Sequence, residues 1–208
     1  MRLYGYSQSP ATQRIQIALA LKGLDAPATL SKMPCGMPGG GAVLQLGGSG
    51  ALPALELADG VRLTQSLAIL EWLEEIWPTP PLLPPDPLTR ARVRGFAQTI
   101  ASDVHPLQSL RLVSRSREGG LVEGEAQACA RRGISEGLEI CESLLVDNAG
   151  PFCFGETPGL ADLCLVPQLR MARHFGVHLA FPHLLAAEAA CLTLPAFRQP
   201  SLESVHAG

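Results

Sequence analysis

Residues Leu3 to Leu24 read LYGYSQSPATQRIQIALALKGL, and their pattern decides how the chain begins to fold. Leu3-Tyr4-Gly5-Tyr6 predicts a short strand, and Ser7-Gln8-Ser9-Pro10 a turn. A helix then runs to Lys22-Gly23. Ser9 can cap that helix with its hydroxyl, Pro10 suits its first position, and Gly23 suits the residue just past its end. Ile15, Ile17, Leu19 and Leu21 alternate, with Ala18 and Ala20 between them, so the helix is apolar nearly all round and predicted to be buried on several sides. A strand feeding such a helix places a hydroxyl beside unpaired backbone N–H groups, where anionic groups are stabilised.

The chain has 208 residues and a net charge of −3. That length can bury one large or two small cores. The charge gives no long-range attraction for nucleic acid or an acidic membrane. No apolar run reaches the roughly 18–20 residues of a membrane span, and the first residues do not read as a signal peptide. The six cysteines (Cys35, Cys129, Cys141, Cys153, Cys164, Cys191) show no Cys-x-x-Cys spacing, so neither a metal site nor a disulfide framework is expected. Scattered reduced thiols fit a cytoplasmic protein. Lys22 and Lys32 are the only lysines, a scarcity that reads as compositional drift.

Pro27 to Ser31 predicts a second strand, parallel to the first through the helical crossover. Residues 34–50, PCGMPGGGAVLQLGGSG, exclude a stable long helix, with at most one turn from Ala42 to Leu46. Ala51 to Leu57, Asp59-Gly60 and Val61 to Thr64 predict a β-hairpin. Gln65-Ser66 opens another helix, with Leu70, Leu73 and Trp77 on one face. Residues 78–87, PTPPLLPPDP, hold the chain extended as a linker. Beyond it the pattern is helical: Leu88 to about Ser114, Val122 to about Val146, Leu160 to about Phe175, and His183 to Leu192, with breaks at Glu118-Gly119-Gly120 and Asn148-Ala149-Gly150-Pro151.

Ser-Pro-x-x-x-Arg-Ile-x-Ile-Ala-Leu-x-Leu-Lys-Gly resembles the first βα turn of the glutathione transferases, in particular the zeta class with its maleylacetoacetate and maleylpyruvate isomerases. Leu52-Pro53 falls on that family's Val-Pro, Gln65-Ser66-Leu67-Ala68-Ile69 on its [Gln/Glu]-Ser-x-Ala-Ile, and Asp103-Val104-His105-Pro106-Leu107-Gln108-Ser109-Leu110-Arg111 on its Asp-Ile-His-Pro-Leu-Asn-Asn-Leu-Arg. The resemblance implies an α/β thioredoxin-like N-terminal domain (1–77), the linker (78–87) and an all-α C-terminal domain (88–208). It also implies glutathione as cofactor, a small electrophilic substrate and a homodimer.

By the same resemblance, Ser9 is the hydroxyl that donates to the glutathione sulfur, with Thr12 as reserve donor. Leu52 pairs main chain with the cysteinyl unit ahead of a cis Pro53, Gln65 and Ser66 hold the γ-glutamyl carboxylate, and His105 lines the cleft with Arg111 on a substrate carboxylate. Gln8 and His174 stand where isomerases carry arginines; with Arg173 they are the remaining substrate-side candidates. Each residue also has a plainer reading: Ser9 as a helix cap, Pro53 as a trans edge proline, Ser66 as an ordinary first turn, His105 as a packed histidine, Arg111 as a solvated one.

Gly47-Gly48-Ser49-Gly50 replaces the polar side chains that hold the glycyl end of glutathione in the family. Gly159 replaces the Ser or Thr of a capping box, leaving Asp162 one half of it, a structural role. The implied reaction is cis–trans isomerisation of an activated double bond, best on a cis-enone with one carboxylate. General transferase or dehalogenase activity and a non-catalytic binding module are the alternatives.

Overall fold

The computed structural model describes residues 1–31, 52–108 and 123–198. It divides into two compact units. One comprises residues 1–80 together with the described residues from Ala190 on; the other runs from Pro81 to Ala189. The residues from Ala190 on, expected with the helical domain, group with the first unit. The reason for the difference is Phe197, in a 3₁₀ turn (Pro195–Phe197) that packs against the first helix and is fully buried. A short Leu-Pro-Ala-Phe segment carries no periodicity that would reveal such a docking.

The first unit holds β1 (Arg2–Tyr6), α1 (Pro10–Leu21), β2 (Ala28–Ser31), β3 (Ala54–Glu56), β4 (Arg62–Thr64) and α2 (Ser66–Ile76). The sheet order is β2-β1-β3-β4. β1 runs parallel to β2, with Leu3 opposite Ala28, and antiparallel to β3, with Leu3 opposite Leu55. The parallel pair follows from the α1 crossover, and β3 pairs antiparallel with β4 through the Asp59-Gly60 hairpin, where Gly60 adopts φ +85°. Leu3, Ile15, Leu55, Ile69, Leu70 and Leu73 form the core and are fully buried or nearly so.

α1 ends as its sequence predicts. Gly23 takes φ +64°, its N–H reaches Ala20 O, and Leu24 N–H reaches Leu19 O, a Schellman closure. Lys22 has a role that the scarcity of lysine did not suggest. Its buried ammonium donates to Glu74 Oε2 at 2.9 Å, Trp77 O at 2.5 Å and Pro80 O at 2.9 Å, tying the end of α1 to the end of α2 and the chain beyond.

The second unit holds α3 (Pro87–Gln98), α4 (Glu123–Ser143), α5 (Leu160–His174) and, as far as Ala189, α6 (Pro182–Leu192). Asp86 caps α3 by accepting from Thr89 N at 2.7 Å. The α-helix expected from Leu88 to about Ser114 stops at Gln98 and continues as a π-helical turn (Thr99–Val104) and a 3₁₀ turn (His105–Gln108). Pro106 explains the change. It has no N–H to give and its ring crowds the carbonyl four residues back, so the chain widens ahead of it, with His105 N–H reaching Ile100 O. α4 packs on this widened segment through two glycines. A Cβ at Gly137 would lie 2.4 Å from Val104 Cγ2, and one at Gly133 would lie 2.7 Å from Leu107 Cδ1.

Asp162, 1% exposed, accepts from Gly159 N through Oδ2 and from Cys153 N through Oδ1, each at 2.9 Å. Gly159 is there for a positive reason as well: a Cβ on it would sit 2.8 Å from Leu82 O, the acceptor of Leu160 N. Asp162→Ala strands two covered N–H groups. It should cost about 3 kcal/mol, from about 1–3 kcal/mol for each such group. A denaturant midpoint unchanged in that variant would show that the box does not hold α5.

Candidate glutathione site

The turn between β1 and α1 is built around Thr12 and Gly5. Thr12, fully buried, accepts Tyr6 N–H on Oγ1 at 3.3 Å. Its methyl lies against the place where a Cβ on Gly5 would sit, only 2.5 Å away, so glycine is needed for the strand to lie this close to the helix. Gln13 Nε2 donates to Ser7 O at 3.2 Å, and Ser9 N–H to Tyr6 O at 3.0 Å, which fixes the turn from both sides. Tyr6 OH donates to Gln8 Oε1 at 2.7 Å, and burial pushes the Tyr6 phenol up from its ordinary pKa.

Two of the expected residues stand in this turn. Ser9 occupies the N-cap position with extended backbone (φ −70°, ψ 122°), and its carbonyl accepts Gln13 N–H, yet its hydroxyl makes no capping bond. With Pro10 at the first position there is one fewer N–H to cap. The half-buried hydroxyl is therefore not committed to its own helix. Thr12, expected as a reserve donor to sulfur, is covered, and its Oγ1 accepts from the β1 backbone.

The start of α2 makes the second half of the site. Gln65 has φ +68° and ψ 113°, a left-handed conformation unusual for a residue with a side chain, of the kind held at cost where a site needs it. It leads into Ser66, 7% exposed, whose Oγ accepts from Arg14 Nη1 at 3.2 Å. The first-turn N–H groups of any helix lack partners within it. Ser66 and these amides thus gather donors for an anion at one place, with Arg14 donating to the Ser66 hydroxyl. Arg14 stands in the motif that carries the resemblance, but its contact is not visible in sequence because its partner lies 52 residues away. Leu52–Pro53 is cis, with Leu52 packed against Tyr4 and Ala54 ahead of β3.

The remaining expected residues lie in the second unit or outside the described segments. His105 is half-buried at the junction of the π and 3₁₀ turns. His174 is exposed, its ring edge-on to Phe175. Both terminal nitrogens of Arg173 are engaged by Glu188, one at 2.6 Å and one at 2.5 Å, which holds the guanidinium strongly charged but ties it to α6. A cavity of about 610 Å³ in this unit, lined by Arg92, Phe96, Asp147 and Phe154 among others, contains none of the expected residues. Arg111 and the glycine-rich stretch 34–50 lie outside the described residues. Among the described residues, no group of His, Cys, Asp and Glu has the arrangement of a metal site, and no helix is long and apolar enough to cross a membrane.

A thioredoxin-like α/β unit with a helix-start anion cradle, together with a helical unit, defines a class, and residues 8–76 match the family model for the glutathione S-transferase N-terminal domain. The chain is 41% identical over 206 residues to the maleylacetoacetate isomerase of Pseudomonas aeruginosa, covering 96% of this chain and 94% of that protein. Among solved structures, a bacterial maleylpyruvate isomerase described as a zeta-class glutathione S-transferase, in its holo form, matches with a TM-score of 0.86 and 38% identity over 95% of each chain. The maleylacetoacetate isomerase of Methylobacterium extorquens, with malonate and glutathione bound, matches with a TM-score of 0.87 and 36% identity over 96% of this chain and 98% of that one. The protein belongs to the zeta-class branch of the glutathione transferase family.

The residues present fit glutathione. Its γ-glutamyl end carries a carboxylate, and the donor set at Ser66 and the first turn of α2 is of the kind that binds one. Its thiol needs a hydroxyl donor that is not spent on a helix, which Ser9 offers.

Proposed function

We propose that this protein is a glutathione-dependent cis–trans isomerase acting on an activated enone or enol carboxylate of the maleylacetoacetate or maleylpyruvate kind. The observation that carries the reading is the 41% identity to a maleylacetoacetate isomerase across almost the whole chain. Glutathione, when bound, supplies a thiolate that adds reversibly to the activated double bond and lets it rotate. The chain's own residues prepare that chemistry. Ser9 donates its hydroxyl to the sulfur and favours the anion. The main chain of Leu52, set by Pro53, aligns the cysteinyl unit. Gln65 and Ser66 anchor the γ-glutamyl carboxylate, and His105 is the further candidate for a cofactor contact.

On the substrate side, Gln8, Arg111 and His174 are the candidates. Arg173 is bound to Glu188 and serves there only if it contacts both. A neutral Gln8, already accepting from Tyr6, offers an amide where a second carboxylate would want a cation. A cis-enone with one carboxylate should therefore have a higher kcat/KM than the matched dicarboxylate. A dicarboxylate preference would overturn that ranking; isomerisation of neither would overturn the function. The reading also places the enzyme in the cytoplasm as a homodimer. Light scattering at micromolar concentration giving the mass of one chain would contradict the dimer.

Ser66→Ala tests the anchor. Losing a hydrogen bond to a charged group costs about 1.5–3 kcal/mol, so glutathione should bind roughly ten- to a hundredfold more weakly by titration calorimetry. Equal affinity in the two proteins would place the carboxylate elsewhere.

A further inference from the structure

We propose that Tyr6 is a positioning residue for the substrate, holding the Gln8 side-chain amide so that its N–H groups, and not its oxygen, face the ketone oxygen of a bound enone. The inference rests on the reading of Gln8 as a substrate-side residue. It adds the residue that orients Gln8 and the group that Gln8 reads. The Tyr6 hydroxyl donates to Gln8 Oε1 at 2.7 Å, and the exposed Gln8 side chain has no other partner among the described residues.

The direction of that bond decides what the amide can do. A glutamine amide carries an acceptor oxygen and two N–H donors on opposite sides of one carbon, so a partner for one end turns the other end outward. A phenol is a stronger donor than acceptor, because its oxygen shares a lone pair with the ring. Burial pushes the Tyr6 phenol up from its ordinary pKa, so it keeps its proton throughout the neutral range. Gln8 Oε1 is therefore taken, and Nε2 remains as a donor.

The anchor itself is fixed. Tyr6 closes β1 opposite Ser31, its N–H is held by Thr12 Oγ1, and its carbonyl accepts from Ser9 N–H. Gln8 lies between Ser7, whose carbonyl is held by Gln13, and Ser9, whose hydroxyl makes no capping bond. One rigid turn thus carries an oriented amide donor beside the hydroxyl proposed for the sulfur. A neutral donor suits the neutral oxygen of a ketone, whereas a carboxylate at that place would lose water without meeting a cation. An amide without the Tyr6 bond can turn its own oxygen outward, and two acceptor oxygens facing each other repel.

The test titrates two unreactive ligands into the glutathione-loaded full chain by ligand-observed NMR. One is levulinate, a saturated keto acid with one carboxylate; the other is pentanoate, which lacks only the ketone oxygen. The native protein should prefer levulinate. Tyr6→Phe should reduce that preference about two- to tenfold while changing pentanoate and glutathione binding little, and should have much less effect when added to Gln8→Ala than alone. Equal weakening of both ligands by Tyr6→Phe would mean a merely structural role and would overturn the proposal. Should Gln8→Ala abolish the preference while Tyr6→Phe retains it, the proposal fails and the substrate-side reading of Gln8 stands. Should Gln8→Ala retain it, or the native protein show none, Gln8 does not meet the ketone and both fail.

Discussion

Lys22→Met should lower the stability of the protein by about 3–5 kcal/mol, the usual cost of breaking a buried charge pair from one side. The lysine side chain is fully covered, and Glu74 beside it is only 10% exposed. The substitution removes the cation from a carboxylate that stays buried, and withdraws the donor from Trp77 O and Pro80 O as well. Because α1 starts with Ser9 and carries Arg14, loosening its far end should also blur the site. For a chain of this size the loss corresponds to a fall in Tm of about 10 °C. Lys22→Arg should recover little of it, since a planar fork cannot point three donors at acceptors grouped around one ammonium. A midpoint within a degree of the native value in Lys22→Met would show that the clamp contributes nothing.

Ser9→Ala should lower turnover by roughly ten- to a hundredfold and raise the apparent pKa of bound thiol by about one to two units, for the same physical reason. An ordinary thiol titrates near about 8.5 and is only a few per cent thiolate at pH 7. A hydroxyl donating to a charged acceptor contributes about 1.5–3 kcal/mol and a helix N-terminus about 0.3–1 kcal/mol, enough together to move the thiol about two units. Above the ordinary thiol pKa the variant and native enzymes should converge as both hold thiolate; below the shifted value their rates should differ by the full factor, because both thiolate fractions fall in step there. The variant should not lose stability through its cap, because Ser9 makes no capping bond. If ultraviolet thiolate absorbance and turnover are both unchanged in Ser9→Ala, another group activates the sulfur.

The elements were legible wherever local chemistry specifies them. Gly23 and Lys22 ended α1, and Asp59-Gly60 closed the hairpin. Ser9, Pro53 and Ser66 could be singled out because each sits in a short run with its own pattern. What stayed hidden depends on partners far along the chain. The contacts of Arg14 and Lys22 reach Ser66, 52 residues on, and Glu74, also 52 residues on. The π turn at Thr99–Val104 was hidden because the pattern before Pro106 reads as a continuing helix. Thr12 shows a contact that sequence does not reveal: the missing side chain at Gly5 lets the strand come close enough for Tyr6 N–H to reach its hydroxyl oxygen.

The central claim is that bound glutathione assists isomerisation and is returned unchanged. The direct measurement follows a cis-enone carboxylate by proton NMR in the presence of the purified protein, with and without millimolar glutathione, while assaying total free thiol. The account predicts that trans product accumulates only with glutathione and that the thiol concentration stays constant over many turnovers. Thiol lost in step with substrate would mean a conjugating transferase, and no reaction in either arm would mean a protein that binds glutathione without using it.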